Sequence, residues 1–484
     1  MFETFQAEGP QTAAGSIVDL IRSSWRARNQ TDAQMLVGIG DLFRLRLREK
    51  GECASWSADT TDAVAGEISA ALNIGAGSAA DYLLHARCLR EDLPAVGAVF
   101  AAGDIDYSTF RLVVSRTTLV DDQDVMAAVD TAVAAALRRW RRLSRGLIRA
   151  RVDQIVARHD HDAVRRRARK RHDRSIEIWD SGDGLAEIRG FLRNMDAHLL
   201  KERLDALAAT VCAQDSRTRA QRRADSIGAL GAGLDRLECG CERPDCPAAD
   251  KPAPPNVIIH VVAQAATVEG QSTEPATVIG ADWLIPAETV AELARTARLR
   301  PLTHPGEATP EPGYTPSRTL AEFVRCRDLI CRFPGCDKPV TKADVDHTIP
   351  YTDRGPTQAS NLKCLCRKHH LLKTFWGWRD QQLPDGTIIW TSPAEATYIT
   401  TPGGALLLPA LRTPTAAVPP IAGPPTARDT PCHIAMPQRR TTRTQNRAAR
   451  IQAERRLNRD KREADVRWQQ QYCAVAAIHD PPPF

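Results

Sequence analysis

The sequence has no run of eighteen or more apolar residues, and residues 1–9 carry neither a basic segment nor an apolar signal region. A membrane span or a secretory leader needs one or the other, so the expectation is a cytoplasmic chain with no membrane partner. Charge of one sign is not in great excess either, since the formal net charge is +6. Its distribution is uneven, with fifteen Arg or Lys between Arg138 and Arg174. That asymmetry suggests a polyanionic partner. At 484 residues the chain exceeds the size at which a single apolar core stops growing, which predicts two or more globular units with linkers. What it does have is thirteen cysteines. In a long intracellular chain these read as reduced thiols, and their clustering with histidine points to metal sites.

Apolar residues recur in three- and four-residue steps from Ser16 to about Arg48 (Ile17, Leu20, Ile21, then Met35, Leu36, Ile39, Leu42 and Leu45), which predicts amphipathic helix. Helical patterns continue over Thr60–Leu72, Ala79–Leu89, Leu93–Ala102, Tyr107–Ser115, Asp122–Trp140 and Ser144–His172. The join at Asn73-Ile-Gly-Ala-Gly77 reads as an ordinary αα-hairpin in preference to a DNA-binding helix-turn-helix. Arg165-Arg166-Arg167 and Arg169-Lys170-Arg171 form either a solvated face or a phosphate contact. Alternation at Ser175–Trp179 and Leu185–Leu192, around Asp180-Ser-Gly-Asp-Gly184, predicts a β-hairpin. Helices over Asp196–Ala213 and Arg219–Leu237 are expected to pack on it. The cluster Cys239-Gly-Cys241-Glu-Arg-Pro-Asp-Cys246 offers three thiols with no fourth ligand nearby before His260, so it reads as a reduced loop more than as a zinc site. A short strand at Asn256–Val262 and a helix at Pro286–Leu299 close a mainly helical region, residues 16–300, and a proline-rich linker, residues 301–318, follows.

The chemistry concentrates between Cys326 and Trp378. Thr319–Asp328 predicts a helix leading into Cys331-Arg-Phe-Pro-Gly-Cys336, a knuckle able to bring two sulfurs to one Zn(II). Cys366 and His369, one turn apart on a helix that opens with Asn361 as N-cap, would complete a tetrahedral Cys3His site; Cys326 and Cys364 read as small buried apolar residues. A structural zinc would supply the folding free energy that some fifty residues of apolar burial cannot.

Val345-Asp346-His347-Thr348-Ile349-Pro350 reads as a strand that aims a carboxylate at a second metal. Adjacent helical residues diverge by about 100°, so His369 and His370 can serve different ions. Asp346 and His370 would then hold Mg(II) or another divalent cation, with His347 as general base and Asn361 orienting the His347 loop. Arg354 and Lys373 are candidates for phosphate contact. The competing reading is a non-catalytic, zinc-framed DNA-binding module.

This set resembles the HNH endonuclease motif, whose fold is a ββα-metal finger: Asp346-His347, Asn361 and His370 framed by Cys331, Cys336, Cys366 and His369. The flanking Phe323-Val-Arg-Cys-Arg-Asp328 and Leu365-Cys-Arg-Lys-His-His-Leu-Leu-Lys-Thr374 also resemble actinobacterial proteins of the mycobacterial thirteen-E-twelve repeat group. In that group a helical domain of unknown function, family 222, precedes the HNH unit, an order matched here by roughly residues 20–300 and by Arg219-Ala-Gln-Arg-Arg-Ala-Asp225. The resemblance implies a DNA endonuclease. His369 stands where a second Cys is usual, which keeps four ligands and bears on metal affinity more than on fold.

Beyond the finger (residues 319–400), Trp376–Leu383 and Thr387–Trp390 flank Pro384-Asp-Gly386 and predict a hairpin whose tryptophans cover the finger's core. Residues 402–437 read as an extended proline-rich linker. The basic tail, residues 438–484, reads as disordered or as a helix that forms on a polyanion. The expected architecture is mainly α with small β elements.

Overall fold

Asp59, Asp106, Asp122 and Ser144 each accept a hydrogen bond from the backbone N–H three residues on, and these caps set where four of the N-terminal helices begin. The computed structural model describes residues 13–140, 143–163, 175–180, 185–192, 194–241, 243–248, 260–279, 284–295, 297–406, 408–419 and 435–479. Its N-terminal helices are α1 (Ala13–Lys50), α2 (Thr60–Leu72), α3 (Ala76–Glu91), α4 (Pro94–Ala101), α5 (Tyr107–Thr117), α6 (Gln123–Arg139) and α7 (Arg145–His159). Their shared core includes Leu36, Val64, Leu83, Phe110, Val133 and Val152. Phe100 stacks on Phe110 with ring centroids 5.2 Å apart. Asn73, in the left-handed conformation (φ 51°), ends α2 and makes α2 and α3 the expected αα-hairpin.

Strands β1 (Ser175–Asp180) and β2 (Ala186–Phe191) form the predicted antiparallel hairpin, with Ser175 opposite Phe191. Every residue of it is exposed, and α8 (Asn194–Ala208) and α9 (Arg219–Gly231) pack on one another instead of on its faces. The basic triplets Arg165–Arg167 and Arg169–Arg171 lie outside the described residues. A small sheet in the order β3 (Val261–Val262), β4 (Ala276–Val278), β5 (Leu284–Ile285) follows, with α10 (Ala265–Val268) after its first strand and α11 (Ala287–Ala294) after its last.

Helix α12 (Arg318–Asp328), capped by Ser317, leads to an antiparallel pair, β6 (Ala343–His347) and β7 (Leu362–Cys366), and then α13 (Arg367–Phe375). Here the expected N-cap is corrected. Asn361 ends a single 3-10 turn, a strand intervenes, and Cys366 stands at the N-cap position of α13 without a side-chain capping bond. All five residues of β7 are buried, so both its faces are covered and the sequence shows no apolar–polar alternation to announce it.

A three-stranded sheet, β8 (Arg379–Gln382), β9 (Ile388–Thr391) and β10 (Thr397–Thr400), closes over this unit. Trp378 and Trp390 meet Phe333 edge-on at 4.6 and 5.4 Å, so these tryptophans fill the core as expected. That core is not private. Ala58, Ala63 and Ala70, in and just before α2, are buried with Cys331, Phe333, Leu372 and Trp376, and Trp376 Nε1 donates to the Ala58 carbonyl at 3.0 Å. Gly66 allows the close approach, since a Cβ there would lie 2.7 Å from Leu372 Cδ1.

A buried charge cluster ties α12 to β7. The Asp328 carboxylate meets Arg327 at 2.8 Å and Arg332 at 3.0 Å and accepts from Cys364 N–H at 2.8 Å, while Arg327 also donates to the carbonyls of Ala359 and Leu362. Asp328→Ala would leave two buried guanidinium groups without their anion. The expected loss is about 3–5 kcal/mol in urea-induced unfolding, and a change under about 1 kcal/mol would contradict a structural role for the cluster.

One C-terminal expectation is corrected in part. The described residues of 402–419 make two 3-10 turns, Gly403–Leu406 and Pro409–Arg412, and bury Leu408 and Leu411 with Leu320 and Phe323 of α12, so this part is packed rather than extended, while residues 420–434 of the expected linker lie outside the described residues. The basic tail holds a helix, α14 (Arg443–His479), one of its two expected states, and four of its arginines pair within the chain: Arg443 with Asp59 at 2.7 Å, Arg455 with Asp160 at 2.5 Å, and Arg459 and Arg462 with Asp162 at 3.2 and 3.1 Å. Among the described residues no helix is long and apolar enough to cross a membrane.

Candidate metal centre

The knuckle after α12, the end of β7 and the first turn of α13 converge on one point. Ligand atoms of Cys331, Cys336, Cys366 and His369 all lie within 4.8 Å of one another, and all four residues are buried. His369 presents Nδ1, which is 3.4 Å from both Cys331 Sγ and Cys366 Sγ, and its ring stacks on Phe333 at 4.0 Å. Gly335, at φ 73°, turns the knuckle against α2, where a Cβ would lie 2.7 Å from Ser69 Oγ and 2.8 Å from the Ile74 carbonyl. Cys364 is equally buried but stands outside the group, as does Cys326. Three thiols and one imidazole in a closed, water-poor pocket could hold a metal ion. Among the described residues the Nε2 of His369 has no hydrogen-bond partner.

A second cluster lies on the other side of α13. Asp346 on β6 and His370 on α13 face one another, Oδ1 to Nε2, at 3.3 Å, and His370 Nδ1 meets Asp344 at 3.0 Å. The other oxygen of Asp346 is taken by Lys363 Nζ at 3.0 Å and Lys373 Nζ at 2.8 Å. Asp380 on β8 pairs with the same two lysines at 2.7 and 3.4 Å. Burial alone would raise the Asp346 carboxyl, but Lys363 and Lys373 hold it well below the usual carboxylate range. Burial works against the charge of Lys363 too, yet Asp346 and Asp380 keep it above the usual ammonium value. Arg367 lies 3.6 Å from Asp344, so the three carboxylates face three side-chain cations, with the imidazole of His370 between Asp344 and Asp346.

Lys373 therefore does not stand free to meet a phosphate. Its ammonium donates to Asp346 and to the carbonyls of His347 and Thr348 because, one turn beyond His370, it lies over β6. Arg354, in left-handed conformation (φ 64°) after the 3-10 turn Tyr351–Asp353, is exposed.

His347 is 5 % exposed, and Tyr314 from the proline-rich segment stacks on its ring at 5.3 Å. Its Nε2 lies 3.0 Å from Thr357 Oγ1, whose own proton goes to the Gly313 carbonyl at 2.6 Å. Thr357 must then accept, which places the imidazole proton on Nε2 and the lone pair on Nδ1. Burial pulls the imidazole below its ordinary value, with Asp346 opposing. Asn361 fixes the same loop: Oδ1 accepts from Ile349 N–H at 2.8 Å, and Nδ2 donates to the carbonyls of Ile349 and Pro356 at 3.1 and 2.8 Å.

Sequence reasoning did not find Lys363, Asp380, Thr357 or Tyr314. Lys363 is a charged residue in a wholly buried strand, and the others come from segments with no motif spacing to the Asp-His pair. A cleft of about 250 Å³ lies behind the proline-rich segment, lined by His304, Phe323 and Gln358, and shares only Thr357 with this cluster.

The chain is similar over most of its length to known proteins. Uncharacterized protein Rv3776 of Mycobacterium tuberculosis is 42 % identical over 468 residues, covering 91 % of this chain and 89 % of its own length. Uncharacterized protein Rv2100 of the same organism is 40 % identical over 486 residues, covering 92 % and 88 %. No solved structure matches. The pattern described as Domain of unknown function (DUF222) matches residues 23–328, from within α1 to the end of α12, and so ends just before Cys331. With more than half of its length in that pattern, the chain belongs to the DUF222 family.

Proposed function

We propose that the chain is a metal-dependent DNA endonuclease of the HNH type, with Zn(II) in the Cys3His set and Mg(II) or another divalent cation held by Asp346 and His370. The observation that carries this reading is the approach of Asp346 Oδ1 to His370 Nε2 at 3.3 Å beside His347, on a strand pair and helix framed by four soft ligands. A purely structural finger needs only the four soft ligands. The donor atoms suit the group: the lysines occupy one carboxylate oxygen and leave the other facing an imidazole nitrogen.

A divalent cation bound there supplies positive charge to the scissile phosphate and the departing oxyanion. The chain's own residues supply the rest. His347 removes the proton from the attacking water through Nδ1, the nitrogen that Thr357 leaves unprotonated. Lys363 and Lys373 keep Asp346 ionised and fixed, so Lys373 serves as a positioning residue. Asn361 holds the loop that follows His347. Arg354, exposed at the turn, is the candidate for contact with backbone phosphate.

The test is supercoiled plasmid incubated with the purified chain and Mg(II) or Mn(II). Nicked circles should appear and should stop with chelator; a folded, zinc-loaded chain that never nicks favours a DNA-binding module. In the same assay Thr357→Val should lower kcat about tenfold, roughly 1.4 kcal/mol, with KM unchanged, while Thr357→Ser keeps most of the rate. Equal losses in both variants would remove the hydroxyl from its tautomer-setting role.

A further inference from the structure

Outside the Cys331 centre, the described residues hold one more group of metal-binding type. Cys212, in the loop after α8, meets Cys239, Cys241 and Cys246, in the loop after α9. All four Sγ atoms lie within 4.8 Å of one another, and those of Cys212 and Cys239 are 3.5 Å apart. None of the four is in a disulfide. A tetrahedral ion with metal–sulfur distances of about 2.3 Å places its sulfurs about 3.8 Å apart, a spacing that falls between the 3.5 Å of the Cys212–Cys239 pair and the 4.8 Å that bounds the group. The ligand missing from the three-cysteine sequence cluster is therefore Cys212, supplied from upstream rather than from His260.

The two loops are tied so that the thiols stay together. Asp215 accepts from Gly240 N–H at 2.8 Å and pairs with Arg217 at 2.8 Å, and Arg217 reaches the Glu238 carbonyl at 2.6 Å. Thr210 Oγ1 accepts from Leu237 N–H at 2.9 Å. Ala248 N–H points at Cys246 Sγ at 3.3 Å, a donor of the kind that supports a metal-bound thiolate. The helix pair being closed has little apolar core of its own, chiefly Leu204, Leu207, Ala208, Ala229 and Leu237. Metal binding is a source of folding free energy for such a unit.

We infer that Cys212, Cys239, Cys241 and Cys246 form a second, structural Zn(II) site that clamps the α8–α9 hairpin. Four thiolates select Zn(II) over hard cations. The site is independent of the nuclease reading, because it requires no cleavage and shares no ligand with the Cys331 centre.

The experiment is zinc content of the full chain purified under reducing conditions and reconstituted with zinc alone. Wild type should carry two ions per chain, Cys241→Ser one, and Cys241→Ser combined with Cys336→Ser none. If Cys241→Ser does not fold, alkylation of wild type decides the matter: peptides containing Cys212, Cys239, Cys241 and Cys246 should be protected with zinc and modified once it is chelated. One ion per wild-type chain, two ions retained in Cys241→Ser, disulfides among the four, or alkylation indifferent to zinc would each overturn the inference.

Discussion

Replacing His347 by alanine is expected to lower plasmid cleavage by about 100- to 10,000-fold, the usual contribution of a positioned general base. The imidazole sits at the end of β6 with its Nε2 fixed by Thr357, so its removal deletes the proton acceptor and leaves Asp346 and His370 facing one another. Zinc content should not change, because His347 belongs to neither thiol group. The fold should hold as well: the ring contributes stacking with Tyr314 and one hydrogen bond, together worth about 1–3 kcal/mol. The readout is single-turnover nicking alongside metal analysis and a thermal melt. A variant that cleaves as wild type removes His347 from the mechanism, and one that loses zinc turns it into a structural residue.

Cys336→Ser is expected to have the largest effect on structure. Three buried thiols and a buried imidazole that lose their shared ion also lose folding free energy on the order of 10 kcal/mol, comparable to the whole stability of a domain. Damage should spread beyond the knuckle, because Ala58, Ala63 and Ala70 are buried in the same core as Cys331, Phe333 and Leu372. Hydrogen exchange should therefore quicken in both residues 331–391 and α2, with one fewer zinc ion per chain. Unchanged exchange in α2 would show that the finger folds apart from the helical region, and unchanged zinc would remove Cys336 from the ligand set.

The helical region was legible because its signals are local. Asp59, Asp106 and Asp122 cap their helices through contacts three residues long, and the apolar steps of α2 and α6 recur within each helix. The soft ligand set was legible for the same reason, since spacing alone favours Cys366 over Cys364. Pairings across long stretches of sequence left no local trace. Cys212 is 27 residues from Cys239, and Asp380 reaches Lys363 from the next sheet. Strand β7 was hidden by complete burial, which removes the alternation that marks a half-buried strand. The tail's pairs within the chain left no local trace either, since nothing in an arginine-rich segment tells that Asp59, Asp160 and Asp162 come within reach.

The central claim is that Asp346 and His370 hold the cation on which cleavage depends, and its most direct test is nicking rate against Mg(II) concentration for wild type and His370→Ala at equal zinc content. Wild type should show a saturating, chelator-sensitive rise, and the variant should stay at the metal-free baseline. Equal curves for the two proteins, or wild-type cleavage that persists in chelator, would contradict it.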